Sequence, residues 1–358
     1  MGSQSSLNLQ TNFGIQIPSR ALSLGKLHLR AERITRATDW LLEPSEPGIR
    51  YLALTDLVGR EPADRSVVAT REEMPNRGWV CHMLTNQSEG GYWTNSDSCY
   101  QPKYSATVWH LQLLAMLGAD GSDPRIRTAC ERFLRMHSMP DGGFTCSAPT
   151  FPGKRSEECI VGRMLAVLLQ FGYRFQEEGI QRAVDWLLDR QLSDGGWNCR
   201  WASHPRHSSI YSTYMALWGF SKISPNRRTR ELKSAVADGV NFMLAHQLFK
   251  SHRSGQVINE EWLKLHFPPI NYDVLNGLRL MTDLGVNSEE RLGDALDLVQ
   301  SKIRPRGRWL VEHVPIGYPE KRGQPSIKFE KVGEPSKWIT LQSLVVLSRI
   351  GRHRVWSS

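Results

Sequence analysis

Two kinds of hydrophobic segment alternate along the chain. One kind is amphipathic, as in "EEGIQRAVDWLLDRQ" (177–191), where Ile180, Val184, Leu187 and Leu188 fall on one face at helical spacing. The other kind is almost wholly apolar, and most of its copies end at a glycine, as a helix C-cap does. Strand-like alternation is nearly absent, so the pattern predicts an all-α protein.

The alternation repeats along the whole chain. Amphipathic segments begin near residues 31, 73, 124, 177, 229 and 290, and apolar segments follow at 48–58, 104–117, 157–171, 208–220, 272–284 and 337–350. Helices that are apolar on most sides need burial all round, so we place them in an inner ring with the amphipathic helices outside. Such pairs close on themselves, which predicts an (α/α)6 toroid as a single domain at 31–355, after an N-terminal extension at 1–30.

An acidic–Gly–Gly–aromatic turn precedes three of the apolar segments, at residues 89, 141 and 194. Two of these turns carry the spacing Q-x3-G-x-W, on Gln191, Gly195 and Trp197 and on Gln87, Gly91 and Trp93. This repeat resembles that of triterpene cyclases. The whole 31–355 region resembles the superfamily of squalene–hopene cyclase domains and protein prenyltransferase β subunits. The resemblance implies a hydrophobic, isoprenoid-like substrate in the central cavity of the toroid.

The chain departs from the cyclase branch of that superfamily. It has no D-x-D-D motif to protonate a polyene and no D-D-x-x-D motif for magnesium-held diphosphate. The prenyltransferase branch implies zinc ligands in a D-x-C motif and a histidine on the next inner helix. Alignment of the inner helices puts Glu157 on the Asp position and Cys159 on the Cys position of that D-x-C motif. The histidine position falls on or near Tyr211, with His207 one turn earlier.

These residues predict a metal site at one rim of the toroid. Thiolate and imidazole together suit zinc, so we expect a zinc centre built from Cys159, Cys199 and His207. Cys146 follows the Gly-Gly turn at residue 141 at the same distance as Cys199 follows the turn at residue 194. Cys146 is therefore a further candidate ligand, together with Glu157.

Several alternatives to the metal stay open. Free cysteines are often buried core residues, and His204 in its loop is typical of a solvated histidine. Without a metal, a Cys159 or Cys199 thiolate activated by His207 is a candidate nucleophile.

Other helix starts offer further candidates. Asp273 begins an inner helix, where a carboxylate either complements the helix dipole or serves as a general acid or base. Tyr211 and Glu157 are also candidate catalytic residues. The candidate substrate-binding residues are aromatic or basic side chains in or just before inner helices: Tyr100, Lys103, Trp109, Tyr214, Trp218, Tyr272 and Trp338.

Composition limits the function classes. The net charge is +9, but the 45 Lys and Arg are spread along the chain, so we expect a solvated basic surface, an anionic substrate or contact with an acidic membrane surface. The chain has no basic stripe with interleaved aromatic residues, so the sequence argues against nucleic-acid binding. No apolar window spans a membrane, and the first thirty residues lack a secretory pattern. The six cysteines are scattered, which favours a reducing cytoplasm.

These observations lead to one preferred hypothesis and two rivals. We expect an enzyme that acts on a hydrophobic, isoprenoid-like small molecule in the toroid cavity with a Cys/His zinc centre. The first rival is a zinc-dependent hydrolase or lyase of a small molecule. The second is a non-catalytic toroid that binds a ligand or a protein. Whether a partner subunit is needed stays open.

Overall fold

Helices dominate the computed structural model, which describes residues 24–148, 151–199, 206–314 and 329–354. The helices are α1 (Leu24–Leu41), α2 (Pro47–Leu52), α3 (Arg65–Glu73), α4 (Gly78–Thr85), α5 (Thr107–Met116), α6 (Pro124–His137), α7 (Glu158–Gln170), α8 (Glu178–Asp189), α9 (Ile210–Ser221), α10 (Arg230–Ala245), α11 (Val274–Asp283), α12 (Gly293–Ser301) and α13 (Lys337–Arg354). A π-helical segment, Ala53–Val58, continues α2. Two short strands, β1 (Trp309–Leu310) and β2 (Pro335–Ser336), pair antiparallel. No helix among the described residues is long and apolar enough to cross a membrane.

The inner helices form a closed ring. In ring order the inner segments are 47–58, α5, α7, α9, α11 and α13, and α13 returns to contact 47–58. The outer layer consists of α1, the pair α3 and α4, α6, α8, α10 and α12. The predicted (α/α)6 toroid is therefore confirmed, and the inner helices start and end within a few residues of the predicted segments.

Two predicted boundaries need correction. Helix α1 begins at Leu24, ahead of the helix start predicted near residue 31, and the division into an extension and a toroid domain stays a prediction. The second outer position holds two helices, α3 and α4, instead of one helix starting near residue 73. Asp64 caps α3 by accepting a hydrogen bond from the Ser66 N–H. The helical conformation is interrupted between α3 and α4, and α4 begins at Gly78, whose φ of +73° favours glycine.

Each Q-W-type tryptophan joins an outer helix to the next inner helix. The Trp197 indole N–H donates to the Leu187 carbonyl of α8 (2.8 Å), and its backbone N–H donates to the Thr213 hydroxyl of α9 (3.0 Å). Trp93 and Trp309 form equivalent pairs of bonds; the partners are Met83 and Thr107, and Val299 and Thr340. The indole thus adds a donor to a carbonyl near the helix end, where the Leu187 and Val299 carbonyls otherwise accept only long backbone bonds from Arg190 (3.2 Å) and Lys302 (3.3 Å) among the described residues.

The glutamine of the motif ties adjacent outer helices together. The Gln87 amide donates to the Arg125 carbonyl of α6 (2.9 Å), and the Gln191 amide donates to the Ala235 carbonyl of α10 (2.9 Å). The motif joins neighbouring repeats as well as the two helices within one repeat.

Two glycines allow α7 and α9 to pack closely. A Cβ on Gly162 would lie 2.4 Å from the Met215 carbonyl oxygen, and a Cβ on Gly219 would lie 2.8 Å from the Gly162 carbonyl oxygen. Real Cβ atoms do not approach backbone this closely, so only glycine fits at the crossing. The close packing brings the first turns of α7 and α9 together.

We expect Gly162→Ala to destabilise the protein by about 1–3 kcal/mol, because the two backbones must separate to admit the methyl group. Urea denaturation monitored by circular dichroism measures the change. Gly179→Ala is the matched control in α8, since nothing lies within 4 Å of its would-be Cβ, and it should stabilise by about 0.5–1 kcal/mol. Equal stability of the two variants would contradict the close crossing.

Candidate functional site at the toroid mouth

The inner helices run parallel, so their N-terminal ends share one rim. Arg279 and Gln342 are the sixth residues of α11 and α13, and the Arg279 guanidinium donates to the Gln342 side-chain oxygen (2.6 Å). In α7 and α9 the fifth and sixth residues, Gly162 and Met215, are adjacent. Side chains at or before the helix starts therefore meet at one mouth, as the sequence predicted.

Half-buried polar side chains converge on this mouth between α5, α7 and α9. We call them the mouth cluster: Tyr100, Cys146, Glu157, Cys159, Cys199 and Tyr211. Tyr100 interacts electrostatically with Tyr211, Cys159 and Cys146, and Tyr211 in turn with Cys159 and Cys199. The structure thus brings together six of the residues that the sequence marked as candidate ligands, catalytic groups or substrate contacts.

Arg163 of α7 is buried beneath the mouth cluster, with only 1% of the residue exposed. Its guanidinium carbon stands 4.2 Å from the centre of the Trp109 ring, and it donates to the Gln112 side-chain oxygen (2.6 Å) and to the Tyr211 hydroxyl. Its Nε is buried and has no hydrogen-bond partner. All of these contacts are with neutral groups, and no described carboxylate forms an ion pair with this buried cation.

The Cys159 and Cys199 thiols are in contact across the mouth. A hydrogen bond from the Cys159 thiol is the largest cause that lowers the pKa of Cys199 to about 7. Burial opposes this shift, and the Ser212 hydroxyl, whose oxygen lies 3.3 Å from the Cys199 sulfur, adds to it. The same contact with Cys199, followed by burial, raises the pKa of Cys159. One thiol is therefore held protonated while the other ionises near neutral pH.

Cys146 has a different environment from this pair. Its thiol donates to the Glu157 carboxylate (3.0 Å), and its backbone N–H donates to the same oxygen (3.2 Å). Burial raises the pKa of Cys146, and the charge and hydrogen bond of Glu157 raise it further. Cys146 is thus a neutral donor that positions Glu157, instead of a thiolate.

The described residues offer no group of three or more His, Cys, Asp or Glu side chains that could hold a metal ion. The expected zinc centre therefore lacks a ligand set in this part of the chain, and we derive no chemistry from a metal. Zinc binding itself stays a prediction that metal analysis of the protein tests.

His207, the expected imidazole ligand, lies elsewhere. It is exposed and lines a groove of ≈ 1080 Å³ between α8 and α10, together with Asp194, Asp238 and His246. Residues just before α9 pass over the outside of the ring here, because Asp194 of the Gly-Gly turn binds the Ser208 N–H (2.8 Å). His204 lies outside the described residues.

Asp273 has a capping environment. One carboxylate oxygen accepts from the Asn276 N–H (2.8 Å), and the other lies 3.1 Å from His266 Nδ1 and accepts from the His266 N–H (3.3 Å). The residue is 2% exposed. Both oxygens are occupied by the N-cap and by the loop before α11, so the structure favours the dipole-complementing alternative, and the acid–base role stays a prediction.

The candidate substrate-binding residues divide into two groups. Tyr100 belongs to the mouth cluster, and exposed Lys103 lies beside it along the chain with its ammonium 4.8 Å from the Tyr104 ring. The aromatic residues further inside are buried: Trp109, Tyr214, Trp218, Tyr272 and Trp338. Tyr272 donates to the Leu248 carbonyl (2.8 Å), and Trp109 supports Arg163. Direct contact of this buried group with a substrate stays a prediction.

Sequence reasoning missed Arg163, Gln112 and Ser212. The sequence did contain a signal for Arg163, because this residue interrupts the apolar segment "ECIVGRMLAVLLQ" (158–170). A charged residue is rarely buried in such a helix unless it has a partner. Gln112 is likewise a polar residue within an apolar inner helix, α5. Its amide donates to the Pro269 carbonyl across the ring (3.0 Å). Polar residues on inner helices thus mark the interior of the toroid better than residues in the turns do.

One protein-family model matches part of the chain. Residues 154–248 match the squalene-hopene cyclase C-terminal domain. The predicted resemblance to the terpene cyclase superfamily is thereby confirmed for a segment that contains α7, α8, α9 and α10, and with them Arg163, Cys159, Cys199 and Tyr211 of the mouth. No curated protein sequence matches the chain.

Solved structures with a similar course of the chain share little sequence with it. A type II terpene cyclase from Scytonema in complex with geranylgeranyl dihydroxybenzoate is 17% identical, with 93% of this chain and 100% of that chain covered and a TM-score of 0.48. A protein from Actinoplanes is 16% identical, with 90% and 99% covered and a TM-score of 0.45. An unsaturated glucuronyl hydrolase specific for heparin is 10% identical, with 91% and 96% covered and a TM-score of 0.47.

We expect Glu157→Gln to increase the alkylation rate of Cys146 at pH 8 several-fold, because removal of the carboxylate charge lowers the pKa of that thiol. Iodoacetamide labelling with peptide mass spectrometry measures the rate. Glu158→Gln is the control, since Glu158 is not among the main causes of the raised pKa of Cys146. If both variants label Cys146 at the wild-type rate, Glu157 does not hold this thiol.

Proposed function

We propose that the protein is an enzyme that binds a hydrophobic, isoprenoid-like small molecule with an acidic end at the toroid mouth. The match of residues 154–248 with a squalene-hopene cyclase domain supports the hydrophobic part of the substrate. The observation that carries the acidic end is Arg163, a buried cation in contact with neutral groups only.

An acidic ligand group would complete the hydrogen bonding of Arg163. A guanidinium has five N–H donors, and among the described residues only Gln112 and Tyr211 accept hydrogen bonds from them. A buried charge without an opposite charge is costly, and a carboxylate or phosphate that binds bidentately offsets that cost. The Tyr211 hydroxyl accepts from Arg163, so its own proton is free to bind the same anion. Burial raises the pKa of Tyr211 to about 12, which keeps that proton in place.

The same cation disfavours carbocation chemistry at the mouth. A carbocation beside Arg163 would meet a like charge in a poorly solvated site, and the guanidinium already occupies a face of Trp109. Together with the missing D-x-D-D motif, this argues for chemistry other than protonation of a polyene.

Cys199 is the nucleophile that the site supports best. Its pKa of about 7 gives a large thiolate fraction at neutral pH, and it is half-buried beside Cys159. In this proposal the acidic end of the substrate binds Arg163 and Tyr211. The Cys199 sulfur attacks an electrophilic carbon of the same molecule, forming a carbon–sulfur bond as the electron pair moves to the carbonyl oxygen or to a leaving group.

We expect a farnesyl-bearing chloroacetamide to alkylate Cys199 at least about tenfold faster than N-methyl chloroacetamide. Burial of only two CH₂ groups, at about 0.8 kcal/mol each, is enough for a factor of ten. Intact and peptide mass spectrometry at pH 7 gives the rates and the labelled residue. Cys199→Ser should remove the fast label, and labelling of surface Cys81 gives the intrinsic reactivity of each reagent. Equal rates for the two reagents at Cys199 would refute an isoprenoid site.

We expect farnesoic acid to protect Cys199 from iodoacetamide at a concentration about tenfold or more below that needed for farnesol, because only the acid pairs with Arg163. In Arg163→Met the difference should disappear, whereas Arg163→Lys, which keeps the charge, should retain part of it. Thermal unfolding of each variant shows that it is folded. A Met variant that still prefers the acid would contradict the assignment of Arg163.

A further inference from the structure

Cys159 and Cys199 are held together by the packing of α7 against α9. Cys159 is the second residue of α7. The Cys199 N–H donates to the hydroxyl of Ser212 (3.2 Å), the third residue of α9, and the same hydroxyl donates to the Cys199 sulfur (3.3 Å). Helices α7 and α9 cross closely at Gly162 and Gly219, and at the rim beside this crossing the Cys159 and Cys199 thiols form a hydrogen bond with each other.

The other four cysteines have different surroundings. Cys99 and Cys130 are buried, Cys146 is bound to Glu157, and Cys81 lies on the outer helix α4, 3.9 Å from the Thr85 hydroxyl. Cys159 and Cys199 are both half-buried, so a small oxidant has access to them.

We infer that Cys199 and Cys159 are a redox pair that a peroxide oxidises to a disulfide between α7 and the segment preceding α9. An accessible thiol next to a second thiol is the arrangement in which a sulfenic acid is trapped as a disulfide. This inference concerns the thiols alone and does not depend on the proposed substrate.

The chemistry balances in two steps. The Cys199 sulfur attacks the terminal oxygen of a hydroperoxide; a sulfur–oxygen bond forms, the oxygen–oxygen bond breaks, and the leaving alkoxide takes up a proton to give an alcohol. The Cys159 sulfur then attacks the sulfenic sulfur of Cys199, the disulfide forms, and the hydroxyl leaves as water with the Cys159 proton. In sum two thiols are oxidised to one disulfide, and one hydroperoxide is reduced to an alcohol and water.

Oxidation would also change the mouth cluster. It removes the hydrogen bond between the two thiols and takes away the thiolate that lies near Tyr211. It links the first turn of α7 to the chain at Cys199 by a covalent bond, next to the crossing of α7 and α9. A thiol reductant would restore the reduced form.

The test treats the reduced, full-length protein with one equivalent of hydrogen peroxide and follows it by non-reducing peptide mass spectrometry. We expect a single linked peptide pair that contains Cys159 and Cys199 and disappears on treatment with dithiothreitol. Cys199→Ser should yield no linked pair. Cys159→Ser should stop at a sulfenic acid on Cys199 that dimedone traps. Cys146→Ser is the matched control and should link Cys159 to Cys199 as the wild type does.

Three results would overturn the inference. The first is a linked pair that contains Cys146 or Cys99 in place of Cys159. The second is sulfinic or sulfonic acid on Cys199 without any disulfide in the wild type. The third is stoichiometric zinc in the purified protein that is lost in both Cys159→Ser and Cys199→Ser, since thiols that bind a metal are ligands and not a free pair. Serine differs from cysteine in one atom, and a circular dichroism melt of each variant checks that it is folded.

Discussion

The pairing of an indole N–H with the carbonyl at the end of an outer helix is the interaction on which the toroid depends. Trp93, Trp197 and Trp309 each form it, and each also donates a backbone N–H to a threonine of the next inner helix. One buried residue therefore fixes the end of one helix and the start of the next. A buried donor without its acceptor costs about 1–3 kcal/mol, so three such junctions restrain the register of both layers and place the inner helix starts at one rim.

The position of the mouth chemistry follows from this register. Once the starts of α7 and α9 are level, the glycine crossing below them decides how close their first turns come. Cys159 and Tyr211 are the second residues of those helices, and Arg163 lies one turn further in on α7. The bond from Arg163 to Tyr211 is thus a consequence of helix packing, whereas the thiol contact also depends on the segment at Cys199, which the Ser212 hydroxyl holds against α9. Cys159, Tyr211 and Arg163 stand on the helices of the scaffold, and a rigid scaffold suits groups that must hold a fixed geometry.

The fold was predictable because its signal is repeated. Six alternations of amphipathic and apolar segments, together with the glycine ends, indicate two layers of helices even where single boundaries are wrong, as at Leu24 and around Gly78. The site was predictable only in part. Cys159 and Tyr211 stand at helix starts, and a ring of parallel helices brings such residues together; Cys199 follows a Gly-Gly turn that the repeat itself marks. His207 stands one turn earlier in the sequence, and it lines the groove between α8 and α10 instead of the mouth. No periodicity encodes the placement of a residue outside the helices.

The retention of Arg163 also needs a physical reason. Replacement of a buried ionic group by an apolar residue of similar size is often neutral or stabilising, and α7 is otherwise an apolar helix that would accept such a residue. The packing of the toroid does not require the charge, because Gln112 and Tyr211 are neutral partners that bind it without compensating it. A cation kept beneath two half-buried thiols and a tyrosine hydroxyl has a use when an anion binds beside them. In the proposed function this charge fixes one end of the ligand while the rest of the molecule lies against the mouth cluster.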